Sequence, residues 1–309
     1  MKDCQGGEYQ NSLKHDQTNQ YDLKNTSIRS SVKILEEQEK MTLRKSLNGF
    51  FFLLLVSVLG AAPPIITRHD RDPSRFEKLG NEFWGVLVDL KVPTQKFPAG
   101  RRGNGVGVLI DSQWVLTAAH VAAGLKANKS DDRIEYSHTV TVGGKEFNQD
   151  YVVLHPEWKE YGPADIALIH LTSPVQSFRR VFPYERRDEI GKIITVVGWG
   201  DFGTGLTGPT TMDQKLRGAT NKIDEVTEDN IIFSFDDPDS KGTTDLEGIS
   251  GPGDSGGPAL LEMKGKFYVL GVSVAQDGRG HGRGRYGATE FYTRVSTYAK
   301  WIKKMMRTR

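Results

Sequence analysis

Between residues 84 and 295 the chain is built from short β-branched and aromatic runs, each closed by Gly, Pro, Asp or Asn. Residues 106–110, 114–117, 151–154, 166–171, 193–197, 231–235, 267–275 and 291–295 all read this way. Many short strands between turn formers predict an antiparallel all-β sandwich or barrel. No strand alternates with a long helical pattern, which argues against a parallel α/β sheet. One segment breaks the rule. Val295, Tyr298, Ile302 and Met305 recur at near-helical spacing, with Lys300, Lys303 and Lys304 on other faces. They predict an amphipathic C-terminal helix with Ser296 as its N-cap.

At 309 residues the chain has room for one large domain or two small ones. Its 41 Lys and Arg nearly cancel 39 Asp and Glu, which excludes a polybasic nucleic-acid binder. The single cysteine, Cys4, excludes an intrachain disulfide framework and a Cys-based zinc site. The fold therefore has to be held by its core.

The strongest apolar run, residues 50–59, is too short for a bilayer, which needs about 20 residues. Arg44 and Lys45 precede it, and Gly60-Ala61-Ala62 follows. A basic start, a short apolar middle and small residues at the end describe a secretory signal peptide, here residues 41–62 beginning at Met41. Residues 1–40 are polar and without periodicity. Glu36-Glu37-Gln38-Glu39-Lys40 would be encoded by purine-rich codons of the kind found in a bacterial ribosome-binding site. Residues 1–40 are thus expected to be a non-translated or disordered extension, and residues 63–309 the domain of an exported bacterial protein, secreted or periplasmic. The competing reading is a disordered tail on a signal anchor.

Three motifs carry chemistry. Thr117-Ala118-Ala119-His120 follows an apolar run, Asp165-Ile166-Ala167-Leu168 opens another, and Gly253-Asp254-Ser255-Gly256-Gly257-Pro258 is a glycine-rich loop before a third. A serine hydroxyl is a weak nucleophile near neutral pH and needs an adjacent base. An imidazole can take that proton and return it to a leaving amine. A carboxylate accepting from Nδ1 holds the ring in the useful tautomer. Order and spacing, 45 residues from His120 to Asp165 and 90 from Asp165 to Ser255, suit one triad.

With these motifs, and with Val197-Gly198-Trp199-Gly200 and Phe291-Tyr292-Thr293-Arg294-Val295, residues 84–309 resemble the trypsin-like serine proteases of the chymotrypsin fold. The resemblance implies two antiparallel six-stranded barrels and a secreted serine endopeptidase working through an acyl-enzyme. It implies Ser255 as nucleophile, His120 as base then acid, Asp165 as its orienter, and the N–H groups of Gly253 and Ser255 as oxyanion hole. Protein or peptide substrates follow, with no nucleic-acid partner, no stable membrane association after signal removal, and no cofactor or metal. An esterase, a glutamyl-type endopeptidase and an inactive binding module on the same fold are the alternatives.

The sequence departs from that family in three places. Gly105, Val121 and Gly251 stand where it commonly carries cysteine. No Ile-Val-Gly-Gly activation sequence exists; Ile65-Ile66 lies near that position. Trimming to Ile65 or Ile66 would offer Asp254 an ammonium partner, and the alternative is an Asp254 bonded elsewhere. At the pocket floor, the family's aspartate position is Ile249, followed by Ser250, while Glu290 stands at a second floor position. A carboxylate there favours a basic substrate side chain, unless an arginine neutralises it and leaves an apolar pocket.

Two other clusters are expected to be solvated. Asp237, Asp239, Asp245 and Glu247 with Gly242 resemble a calcium loop, but Lys241 occupies a ligand position. Arg279, Arg283 and Arg285 lie in a glycine-rich surface loop. His69, His138, His155, His170 and His281 lack a catalytic context.

Overall fold

The computed structural model describes residues 65–92, 103–125, 139–160, 162–211, 213–278 and 280–307. The expected extension and signal segment, with Cys4, lie outside the described residues, as do Pro63, His138 and Arg279.

Strand β1 (Ile66–Thr67) and helix α1 (Pro73–Asn81) lead into the first β unit. Asp72 caps α1 by accepting from Ser74 N at 2.9 Å, and Pro73 sits where no N–H is needed. The helix buries Phe76 and Gly80. A Cβ on Gly80 would lie 2.5 Å from the Arg217 carbonyl carbon, so backbone packs on backbone there.

Strands β2 (Leu87–Val92), β3 (Gly103–Asp111), β4 (Trp114–Thr117), β5 (Thr139–Val142), β6 (Lys145–Leu154) and β7 (Ala167–Leu171) close into a barrel in the order β2-β3-β4-β7-β6-β5. Closure is made where Val88 pairs with Val142 and Asp89 with Thr141. Leu87, Leu90, Val106, Val108, Leu116, Leu168 and Ile169 on these strands have no exposed surface and belong to one apolar core cluster. Each such side chain contributes about 1.5–3 kcal/mol by leaving water.

The second unit comprises β8 (Val181–Pro183), β9 (Ile193–Gly198), β10 (Phe202–Thr204), β11 (Gly208–Thr211), β12 (Arg217–Lys222), β13 (Glu225–Val226), β14 (Asn230–Ser234), β15 (Gly248–Ile249), β16 (Pro258–Met263), β17 (Lys266–Asp277) and β18 (Thr289–Arg294). Eight of these form one sheet in the order β12-β9-β16-β17-β18-β14-β13, with β8 beside β17. The expected all-β, chymotrypsin-like architecture is present, with the second unit a half-barrel whose strand ladder stays open among the described residues. The gap is spanned by a side chain, as Asn221 Nδ2 on β12 donates to Ser234 O on β14 at 2.9 Å and to Gly248 O at 3.1 Å. A small sheet, β11-β10-β1-β15, lies alongside and pairs Ile66 with Ile249.

The C-terminal helix exists as α3 (Val295–Arg307), with Val295, Tyr298, Ala299 and Ile302 buried. Ser296 is inside it rather than at its cap, and its hydroxyl donates to Glu189 Oε1 at 2.6 Å. Among the described residues, no helix is long and apolar enough to cross a membrane.

Candidate active site

His120 lies in the first turn of the short helix α2 (Ala119–Leu125), directly after β4. Asp165 lies two residues before β7, the strand that pairs with β4, so the two ladders bring both side chains together. Asp165 Oδ2 is 2.7 Å from His120 Nδ1, and Oδ1 accepts the His120 backbone N–H at 2.8 Å. A carboxylate only accepts, so Nδ1 carries the proton and Nε2 is left free to act as a base. The preceding Ala164 is held at φ 59°, in the left-handed region, with Ile166 N donating to its carbonyl. For alanine that conformation costs about 1–2 kcal/mol. The second unit also grips this turn, through Thr293 Oγ1 donating to Asp165 O at 2.8 Å.

The loop carrying Ser255 is pressed against the first barrel. Val106 N donates to Ser255 O at 2.8 Å, and Thr117 Oγ1 donates to Val106 O at 2.8 Å. Gly256, at φ +82°, is required at this junction: a Cβ would fall 2.2 Å from Thr117 Oγ1 and 2.3 Å from Val106 O. Thr117 is three residues before His120, so this contact sets the serine loop against the histidine turn. Gly256 N is taken by Ser273 O and Gly257 N by Asp254 O, both at 2.8 Å. Among the described residues, the N–H groups of Gly253 and Ser255 have no protein acceptor and are available to an oxygen anion.

Asp254 is buried and accepts from Gly251 N at 3.1 Å and Gly200 N at 3.2 Å. Desolvation pushes its carboxyl up to about 7. The Val197-Gly198-Trp199-Gly200 motif is explained here, since a Cβ on Gly198 would sit 1.8 Å from Asp254 Oδ1. Ile65 and Ile66 are fully buried in the apolar cluster of the second unit.

Of the three residues expected at a pocket floor, Ile249 joins that same apolar cluster, while Ser250 and Glu290 meet each other. Ser250 Oγ donates to Glu290 Oε2 at 2.7 Å and lies 3.1 Å from Ser273 Oγ. Burial pushes the Glu290 carboxyl up to about 8. No described lysine or arginine reaches it; the second donor is Gln276 Nε2, at 2.5 Å from Oε1. The sequence reading missed Gln276. A separate cavity of about 300 Å³, between Trp84 and Trp199, does not include the three catalytic candidates.

The remaining singled-out residues disperse. Asp245 pairs with Arg71 and Arg75, and Asp237 Oδ1 accepts from Asp239 N. Glu247 is buried, takes two donors from Thr244 and is pushed up to about 7 by desolvation. Among the described residues, no group of carboxylates, histidines or cysteines is arranged to hold a metal ion. Arg285 Nη1 donates to Leu206 O at 2.5 Å. His69 meets Tyr286, His155 packs between Tyr298 and Trp301, and His170 stacks on Tyr151 beside Asp150. Gly105 and Val121 fit together: a Cβ on Gly105 would lie 2.4 Å from Val121 Cγ1.

A family model described as Trypsin matches residues 91–302. That match falls on the fold just described and covers both β units. Complement C1s subcomponent of Sus scrofa is 30% identical over 267 residues, covering 75% of this chain and 36% of that protein. Vitamin K-dependent protein C of Mus musculus is 28% identical over 251 residues, covering 73% and 49%. Tryptase of Mus musculus is 28% identical over 274 residues, covering 81% and 93%. The chain thus spans between a third and a half of the first two relatives and nearly all of the third. It belongs to the trypsin family.

Proposed function

We propose that the protein is an exported endopeptidase that cleaves protein substrates through an acyl-enzyme on Ser255, with His120 as base then acid and Asp165 as orienter. The observation that carries this reading is the pair of hydrogen bonds that Asp165 accepts from His120, one from Nδ1 and one from the backbone N–H. It fixes ring orientation and tautomer together, and it stands beside a serine loop with two uncommitted N–H groups. The substrate carbonyl oxygen would settle between Gly253 N and Ser255 N as it gains charge. A donor of that kind is worth about 3–4 kcal/mol of barrier. His120 would return its proton to the departing amine, and water would then attack the acyl-enzyme along the same path.

Residues 41–62 are proposed to direct export, and residues 63–309 to form the working domain. Trimming to Ile65 or Ile66 is proposed as activation. The new ammonium would replace the weak N–H donors now on Asp254 and draw its carboxyl back to the charged form. The test of the function is casein hydrolysis by wild type and Ser255→Ala. The variant should fold normally and lose activity on the order of 10⁶-fold. Retained hydrolysis by Ser255→Ala would overturn the assignment.

A further inference from the structure

The cavity between Trp84 and Trp199 lies where the two β units face each other, apart from the catalytic candidates. Strand β2 supplies one wall. Leu90 is fully buried, so its neighbours Asp89 and Lys91 lie on the opposite, outer face of the strand, and both line the cavity. Thr141, paired with Asp89 across the β2–β5 ladder, lies beside them. The second unit supplies the other wall through Trp199 and Gln214. The turn between β5 and β6 closes one end without a side chain, since it is made by Gly143 and Gly144 at φ 55° and 77°. A Cβ on Gly144 would already touch Trp84 Cζ2 at 3.5 Å.

The two indoles form an apolar corner. Trp84 is 48% exposed, and its ring meets Trp199 edge to face, with centroids 6.2 Å apart and planes at 68°. Trp199 Nε1 is buried without an acceptor among the described residues, so the protein itself leaves a donor of this corner unsatisfied. Around the corner stand the Asp89 carboxylate and the Lys91 ammonium, which pairs with no described carboxylate. Thr141 and Gln214 add groups that both donate and accept.

This mixture narrows the ligand. A wholly apolar group would cover the rings but strip water from Asp89 and Lys91 without replacing it. An anion would face Asp89, and a cation would face Lys91. A neutral ring with an apolar C–H face and a rim of hydroxyls meets every wall: the face lies on an indole, and each hydroxyl both donates and accepts. That is the chemistry of a pyranose. A volume of about 300 Å³ is at the small end of ligand sites and suits a ring-sized group rather than an extended peptide.

We propose that this cavity is a saccharide-binding site, in which a neutral pyranose lies on Trp84 with its hydroxyls bonded to Asp89, Lys91 and Gln214. The site flanks the serine loop. Asp89 stands opposite Val106, whose N–H holds Ser255 O, and Trp199 precedes Gly200, whose N–H holds Asp254. A glycan held here is therefore anchored beside the loop that carries Ser255. On the endopeptidase reading above, a glycan-bearing protein docked this way is retained next to the nucleophile.

Binding is measured on the full chain by saturation-transfer NMR in a Ser255→Ala background, where no turnover is needed. The probes are trisaccharides of glucose, mannose and N-acetylglucosamine, with N-acetylphenylalaninamide as an apolar, peptide-like control. At least one trisaccharide should bind, and the control should not compete with it. Trp84→Ala should weaken that binding tenfold or more and Lys91→Met at least threefold, whereas Trp84→Phe, which keeps a flat ring, should recover part of the loss. Both Trp84→Ala and Lys91→Met should keep the melting temperature and, with Ser255 present, fluorophosphonate labelling. A second arm separates a glycan on the substrate from a free one by comparing cleavage of reduced, alkylated ribonuclease B with its unglycosylated form, ribonuclease A. Faster cleavage of the glycosylated protein, lost in Trp84→Ala, assigns the site to substrate glycans; equal cleavage with trisaccharide binding assigns it to free ones. No trisaccharide binding, binding unchanged in Trp84→Ala, or displacement of the sugar by N-acetylphenylalaninamide would overturn the proposal. Failed labelling of Ser255 in wild type would overturn the endopeptidase reading and leave the binding result standing.

Discussion

Gly105 and Val121 offer a quantitative test of how the barrel is held without a disulfide. An ideal Cβ on Gly105 lies 3.4 Å from Val121 Cβ. Bridged cysteines hold their Cβ atoms about 3.8 Å apart, so a shift of a few tenths of an ångström suffices. The valine methyl now fills the space a bridge would use, and Gly105→Ala alone would press its Cβ to 2.4 Å from Cγ1. Such overpacking costs about 1–3 kcal/mol. The double substitution Gly105→Cys, Val121→Cys removes the clash and closes a loop of 16 residues, 121 − 105. Constraining the unfolded chain over that length contributes about 3 kcal/mol. For a domain of this size that corresponds to a rise in Tm of about 6–12 °C. The assay is thermal unfolding with and without dithiothreitol in a Cys4→Ser background, with thiol titration. Wild type should ignore the reductant, whereas the oxidised double variant should melt higher than its reduced form. Two free thiols under oxidising conditions, or equal melting in both states, would refute the inferred juxtaposition.

Asp165→Asn should keep the fold but stabilise the wrong histidine tautomer and lower kcat about 10⁴-fold, measured on a chromogenic peptide. Gly256→Ala should abolish activity and lower Tm, since its Cβ would enter Thr117 Oγ1 and Val106 O at a positive φ; activity within threefold of wild type would contradict the described loop contact. Burial raises the carboxyls of Glu290 to about 8 and of Asp254 and Glu247 to about 7, above their unfolded values of 4.5, 3.8 and 4.5. The folded state therefore holds protons more tightly, and that contribution to stability declines from about pH 4 upward and is gone above about pH 8. Calorimetry between pH 5 and 8 should show Tm falling, with a shallower slope in Glu290→Gln. N-terminal sequencing of active enzyme should find Ile65 or Ile66 first; full activity with Pro63 retained would exclude activation by trimming.

The triad candidates were legible because each sits in a local motif whose spacing reports the turn it makes. Four strands of the first barrel were legible, at residues 106–110, 114–117, 151–154 and 166–171, as apolar and β-branched runs closed by turn residues, whereas β2 and β5 were not read and the barrel itself was implied by the resemblance. Helix α1 was not, because it buries only Phe76 and Gly80, too few positions for a periodic signal; Asp72-Pro73 was the available cue. The open second sheet depends on Asn221 bonding across a gap, which no pattern of strands encodes. Gln276 was hidden by register. An unbroken ladder would set Ala275 opposite Glu290, and only the bulge after Ser273 puts Gln276 there. Ile249 was placed at the pocket floor by alignment alone, whereas its pairing with Ile66 turns it into core.

The most direct test is mass spectrometry of the enzyme quenched during turnover of a slow ester-linked peptide substrate. The expected result is a covalent acyl adduct on the peptide that contains Ser255, absent in Ser255→Ala and failing to accumulate in His120→Ala. Hydrolysis without any adduct on Ser255, or an adduct on another residue, would contradict the mechanism.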